Sequence, residues 1–131
     1  MRTIKFRAWD RKIKKFRETW QDSYLEIIDG GVYEIIGGYA NQDTEMNKLD
    51  VEITQYTGIN DSNGREIYEG DIVKLDEDFA KAQGYSSTIS EVVWDEDGAL
   101  FDTPKIQYAL SKHNSKYFTV IGNIYETPQL I

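Results

Sequence analysis

Two short acidic stretches, Asp95-Glu96-Asp97-Gly98 and Asp61-Ser62-Asn63-Gly64, combine oxygen donors with a glycine as a calcium loop does. Spacing decides against that chemistry. With either glycine at its required place in an EF-hand loop, Val93 or Ile59 falls at the first ligand position and Pro104 or Gly70 at the last. Both ends lack a carboxylate, so these residues read as solvated turn acids. His113 is the only histidine and there is no cysteine, which removes His-based metal clusters, thiolate zinc sites, disulfides and thiol nucleophiles. A Ser-His-Asp triad is formally available, but no Gly-x-Ser-x-Gly elbow accompanies it, and His113 in SKHNSK reads as a surface-loop residue. Gly30-Gly31 and Gly37-Gly38 lack the Gly-Lys-Ser/Thr of a phosphate loop. A carboxylate pair such as Glu69 and Asp71 is the one enzymatic reading left, and it ranks below two binding readings. No catalytic residue, metal ligand or cofactor is assigned.

The binding readings begin with charge. The 131-residue chain carries a net charge of −8, unevenly spread: the first 20 residues hold eight Lys/Arg against Asp10 and Glu18, and the remainder is strongly acidic. In TIKFRAW, Ile4, Phe6 and Ala8 alternate with Lys5, Arg7 and Trp9; in KKFRETW, Phe16 and Trp20 alternate with Lys15 and Arg17. Folded as a hairpin through Asp10 to Ile13, these segments predict one apolar face and one face carrying Lys5, Arg7, Lys15 and Arg17, with Trp9 beside them. Like charges across a β-ladder oppose pairing, so such a face calls for an anion. The acidic body is the nearest one, in the same chain or in a neighbouring subunit, and its sign disfavours extended nucleic-acid contact.

The elements that must position these groups are strands. Val, Ile, Tyr, Phe, Trp and Thr fill short runs separated by Gly, Asn and Asp, and strands are predicted over 3–9, 14–20, 32–36, 51–57, 71–76, 88–95, 99–103 and 116–121. DEDFAKAQG, from Asp76 to Gly84, has leading acids and a closing glycine and predicts a helix of about two turns. Ser23 and Glu26 fit a capping box, but Gly30-Gly31 leave space for a turn or two only. Val73 and Leu75 are expected inward with Lys74 outward. Val92 and Trp94, like Phe118 and Val120, share a face and are expected in the core. Three tryptophans and nine tyrosines otherwise suggest base stacking, a role alternation leaves open to Trp9.

QYTGINDSNGREIYEGDIV, from Gln55 to Val73, has two readings. Asn63-Gly64 is a turn signal, Asn60, Asp61 and Ser62 can bond back to the backbone, and Gly58 and Gly70 add bends, which makes a structured corner. Alternatively Tyr56 and Tyr68 form a platform beside Glu66, Glu69 and Asp71. Exposure separates the two. Gly70 is expected at positive φ or against another backbone.

The fold expected is mostly β, all-β or β-rich α+β: an N-terminal hairpin and connecting region over 1–50, then a small, bent SH3-like barrel over 51–131, together one cooperative unit. The start has no apolar signal region, and no apolar run reaches membrane-spanning length, so no membrane contact is expected.

IKFRAWD (Ile4–Asp10), the Gln55–Val73 stretch and VIGNIYETPQLI (Val120–Ile131) together resemble, in order and spacing, the YopX family of bacteriophage and prophage proteins. The resemblance implies a phage or prophage origin, a mostly β fold and no assigned activity; it supplies no catalytic residues. At Asn60, Ser62 and Gln129 it implies more charged residues in relatives. The segments 21–54 and 75–119 carry no such motif.

The function expected is therefore a non-enzymatic protein-interaction module in the cytoplasm of a bacterial host, partnered by another protein or by itself as an oligomer. The alternative is a nucleic-acid-associated accessory protein using the basic hairpin. Candidate interaction residues are Lys5, Arg7, Trp9, Lys15, Arg17, Tyr56 and Tyr68, with Arg11, Lys12 and Lys14 completing the arm.

Overall fold

A computed structural model describes residues 3–17, 23–36 and 45–131. Asp10 starts the architecture: its carboxylate accepts hydrogen bonds from the Lys12 and Ile13 N–H groups, closing a turn after strand β1 (Phe6–Asp10) and before β2 (Lys15–Phe16). Lys14 ends that turn in the left-handed region at φ 56°. β3 (Ser23–Ile28), β4 (Gly31–Ile36) and β5 (Glu45–Leu49) follow as an antiparallel meander. Ser23 therefore opens a strand rather than a helix. β5 has no counterpart among the predicted strands, because Glu45, Asn47 and Lys48 dilute its apolar signal.

The second half of the chain runs through β6 (Val51–Asn60), β7 (Glu66–Tyr68), β8 (Asp71–Leu75), α1 (Glu77–Gln83), β9 (Ile89–Glu91), β10 (Val93–Asp95), β11 (Leu100–Thr103), β12 (Tyr108–Ala109) and β13 (Phe118–Asn123). The helix is closed as its sequence predicts: the Asp76 side chain accepts from Phe79 N–H, and Gly84 ends it at φ 82°. β6 continues past the predicted end at Thr57. Gly58, at φ 81°, sits where the register to β7 shifts between Tyr56 and Asn60, so it makes a bulge within a strand and not a separate bend.

Contacts divide the chain into two compact units, one of residues 1–6 and 54–131, the other of residues 7–53. In the first, β13-β8-β9 and β10-β11-β12 form antiparallel sheets around Ile67, Val73, Leu75, Ala80, Val92 and Phe118, all buried. The sheets curl into a half-barrel, and the protein is mostly β, as its strand-and-turn composition requires. Val73 and Leu75 point inward and Lys74 is partly exposed, as alternation demands. In the second unit, Ala8, Trp9, Asp10 and Ile35 are buried.

Two alternation-based expectations are corrected. Val92 is buried, but Trp94 is 44% exposed. The chain changes sheets between them: Val92 bonds through N–H and C=O to Asp71 and Gly70, whereas Trp94 already lies opposite Phe101 in the next ladder. A strand break resets the period. Trp9, expected on an accessible cationic face, is buried and packs edge-on against Phe16 with ring centroids 5.0 Å apart.

Candidate functional site

The hairpin register determines where the arm's cations go. The turn places Trp9 opposite Phe16 and Asp10 opposite Lys15, and residues directly opposite share a face. Arg7 thus stays with Trp9 and Phe16, its guanidinium 4.6 Å from the Phe16 ring centre, while Lys15 and Arg17 take the face of Ala8 and Asp10. The expected single face of four cations is not formed. The reason is parity: a four-residue turn, whether over 10–13 or over Arg11 to Lys14 as observed, sets odd-numbered positions of β1 opposite even-numbered positions of β2, so Lys5 and Arg7 cannot share a face with Lys15 and Arg17. Trp20, counted in that face pattern, lies outside the described residues.

Several cations meet carboxylates of their own chain. Arg17 Nε donates to Asp10 Oδ2 at 2.8 Å, and Arg17 also lies 3.4 Å from Glu34. Arg11 pairs with Asp50 at 2.8 Å and Glu52 at 3.3 Å. Burial alone would raise the Asp10 carboxyl, but hydrogen bonds from Ile13 N–H, the Arg17 guanidinium and Lys12 N–H outweigh it and hold the group below the usual carboxylate range. Lys12, Lys14 and Lys15 are exposed, and Ile13 between them is 50% exposed.

Lys5, Tyr56 and Tyr68 belong to the other unit and come together there. Lys5 C=O accepts from Tyr56 N–H at 2.8 Å, Lys5 Nζ lies 2.7 Å from Glu66, and the two tyrosine rings are 5.6 Å apart across the β6–β7 ladder. The Glu66 hydrogen bond and charge raise the Lys5 ammonium. Burial pushes the Tyr56 hydroxyl up, Glu66 adds to the rise and Lys5 opposes it. Tyr56 is buried and donates to Asn60 Oδ1, so its ring is not an open stacking surface.

The Gln55–Val73 stretch is organised by Asp61. Its Oδ1 accepts from Asn63 and Arg65 N–H, each at 2.9 Å, and its Oδ2 accepts from Val120 N–H at 2.9 Å. Ser62 N–H donates to Phe118 C=O, and Ile124 N–H to Gly70 C=O. Asn123 repeats the device downstream: its Oδ1 accepts from Tyr125 and Glu126 N–H, and its amide donates to Glu126. Asp61 thus holds backbone, while Glu66 of the same stretch pairs with the Lys5 ammonium. Asp71 is buried and accepts from Tyr68 N–H at 2.8 Å, which closes the turn before β8 and leaves that oxygen facing the backbone. Asp95 likewise accepts from Asp97 and Gly98 N–H. Among the described residues, no group of three or more His, Asp and Glu is arranged to hold a metal ion.

The three stretches singled out by resemblance are thus tied to one another by backbone bonds. A family model described as YopX protein matches residues 5–131. The chain belongs to the YopX family. Among solved structures, this YopX-family chain is similar to the crystal structure of protein EF1440 from Enterococcus faecalis, at 26% identity over 99% of each chain with a TM-score of 0.65. No curated protein matches the YopX-family chain. The family match extends through segments whose residues carry no recognisable motif.

Sequence reasoning missed two features of the surface. Ile13 is apolar at an exposed turn, a signal present in KIKK but overlooked beside the charges. The exposure of Trp94 had no local signal, because it depends on the change of sheet at Val92.

Proposed function

We propose that this YopX-family chain is a non-enzymatic protein-interaction module, encoded by a phage or prophage and acting in the cytoplasm of the bacterial host. The observation that carries the reading is the β1–β2 turn, where Ile13 stands half out of water among Lys12, Lys14 and Lys15. An apolar side chain at a turn tip among three like charges can be buried by a partner surface of the opposite sign. The arm's other charges support it. Arg11, Arg17 and Lys5 already face carboxylates of this chain, which lowers the charge available to a phosphate backbone. The carboxylates most suggestive of chemistry, Asp61 and Asp71, accept hydrogen bonds from backbone N–H groups.

A second reading, a nucleic-acid-associated accessory protein, draws on the same three exposed lysines. Capture from nuclease-treated lysate of phage-carrying host cells separates the two, with the full chain and its Ile13→Ser variant as baits. The module reading expects a defined protein, retained in near-stoichiometric amount by the first bait and lost from the second. Protein retention that disappears on nuclease treatment overturns it in favour of the nucleic-acid reading.

A further inference from the structure

The structure carries two exposed hairpin ends of opposite sign. At one end, Ile13 is 50% exposed, with Lys12, Lys14 and Lys15 exposed around it. At the other, where β10 turns into β11, Trp94 is 44% exposed beside Glu96 and Asp97, both exposed, and Asp95. Asp95 is committed to the Asp97 and Gly98 N–H groups, so it fixes the turn. Glu96 and Asp97 are left as its outward charges. Trp94 is supported from beneath by Phe101, edge-on at 5.0 Å, and Phe101 itself packs on the core. The indole is thereby held in place while part of it remains in water.

We propose that these ends are the two halves of one contact between copies of this chain, the lysine-ringed Ile13 of one molecule docking on the Trp94 turn of the next. The inference rests on the protein-interaction reading and names a second copy as the partner. The two ends are complementary. Each end offers one large apolar side chain to bury, and a rim whose charges oppose those of the other end. A hydrophobic side chain ringed by lysines has no match on a like-charged surface, and the acidic turn supplies the opposite sign together with the most exposed tryptophan described. Because the two surfaces differ, the contact is heterologous and propagates head to tail into a ring or a short filament. It is small, so its affinity is low, and it weakens as salt screens the rims.

The test is sedimentation velocity of the full chain from about 10 µM to about 1 mM, the range of a weak charge-assisted contact, at about 100 mM salt. The variants are Lys12→Glu/Lys14→Glu, with a reversed tip, and Glu96→Lys/Asp97→Lys, with a reversed turn. All four side chains are exposed, and unchanged circular dichroism verifies folding. Wild type is expected to gain mass with concentration. Each variant alone should remain a monomer, since its two ends then carry the same sign. An equimolar mixture of the variants should associate again, because each reversed end meets its complement on the other molecule. Wild type of constant mass, a variant that associates as wild type does, or a mixture that stays monomeric overturns the proposal. A monomeric wild type that still retains a different protein in the capture experiment removes the self-contact and leaves the interaction reading intact.

Discussion

Replacing Asp61 by alanine tests whether the Gln55–Val73 corner is held by one carboxylate. The substitution removes the acceptor of three backbone N–H groups, those of Asn63, Arg65 and Val120. The Asn63 and Arg65 groups lie in an exposed turn where water can replace the carboxylate, so each loses about 0.5 kcal/mol. Val120 is buried in β13, and its N–H left without an acceptor costs about 1–3 kcal/mol. The sum is about 2–4 kcal/mol, a large part of the 5–15 kcal/mol typical of a domain. Asp61→Asn keeps one carbonyl oxygen but turns an NH2 group toward one set of donors, so it should fall between wild type and alanine. Urea denaturation followed by tryptophan fluorescence reads the midpoint, and hydrogen exchange of the Val120 amide localises the effect. An alanine variant within about 0.5 kcal/mol of wild type would refute the reasoning, since a buried donor cannot lose its acceptor so cheaply.

Gly70→Ala should cost at least about 1 kcal/mol in the same denaturation assay, because Gly70 lies at φ 87° and a Cβ there would come within 3.2 Å of the Tyr125 ring. Unchanged stability would show that the corner tolerates a side chain. Gly122→Ala should be worse, as its Cβ would collide with Thr127 Oγ1 and approach Leu130 Cδ1 to 2.8 Å; loss of protection at the Thr127 amide, which bonds to Asn123 C=O, is the local readout. For Asp10, a folded carboxyl held below its ordinary value contributes stability above the unfolded pKa of about 3.9, and that contribution is lost as pH falls through the folded value. The Lys12 and Ile13 amides should therefore lose protection on acidification, and Asp10→Asn should flatten that dependence; an acid transition unchanged in the variant would assign it to other groups.

The residues that announced themselves correctly did so through short-range chemistry. Asp76 and Gly84 cap α1 because a carboxylate ahead of a helix and a glycine behind it act within one turn. Val73, Lys74 and Leu75 follow strand alternation where β8 pairs in register with Val120, Thr119 and Phe118. What failed depended on register or on distant partners. Which face of β1 each β2 residue joins is set by the pairing of odd with even positions across the turn, β7 and β12 are too short for a periodic signal, and Trp94 lost its expected burial at a change of sheet. Asp61 was legible as a turn residue but not as the acceptor of an N–H 59 positions away. The arm's basic residues could be named, yet which carboxylate each meets is a property of the folded chain.

The central claim, that the basic arm serves protein contact and not nucleic-acid binding, is tested most directly by one titration. Labelled DNA and RNA are titrated with wild type and with the Lys12→Gln/Lys14→Gln/Lys15→Gln variant, whose three side chains are exposed, at about 50 and about 200 mM salt, a span over which phosphate-dominated binding falls steeply. Sedimentation is recorded on the same samples. The account predicts nucleic-acid binding weaker than about 1 µM for both proteins at either salt, with the variant altered instead in sedimentation or in hairpin amide protection. Submicromolar binding by wild type, lost in the variant while its sedimentation stays the same, would contradict it.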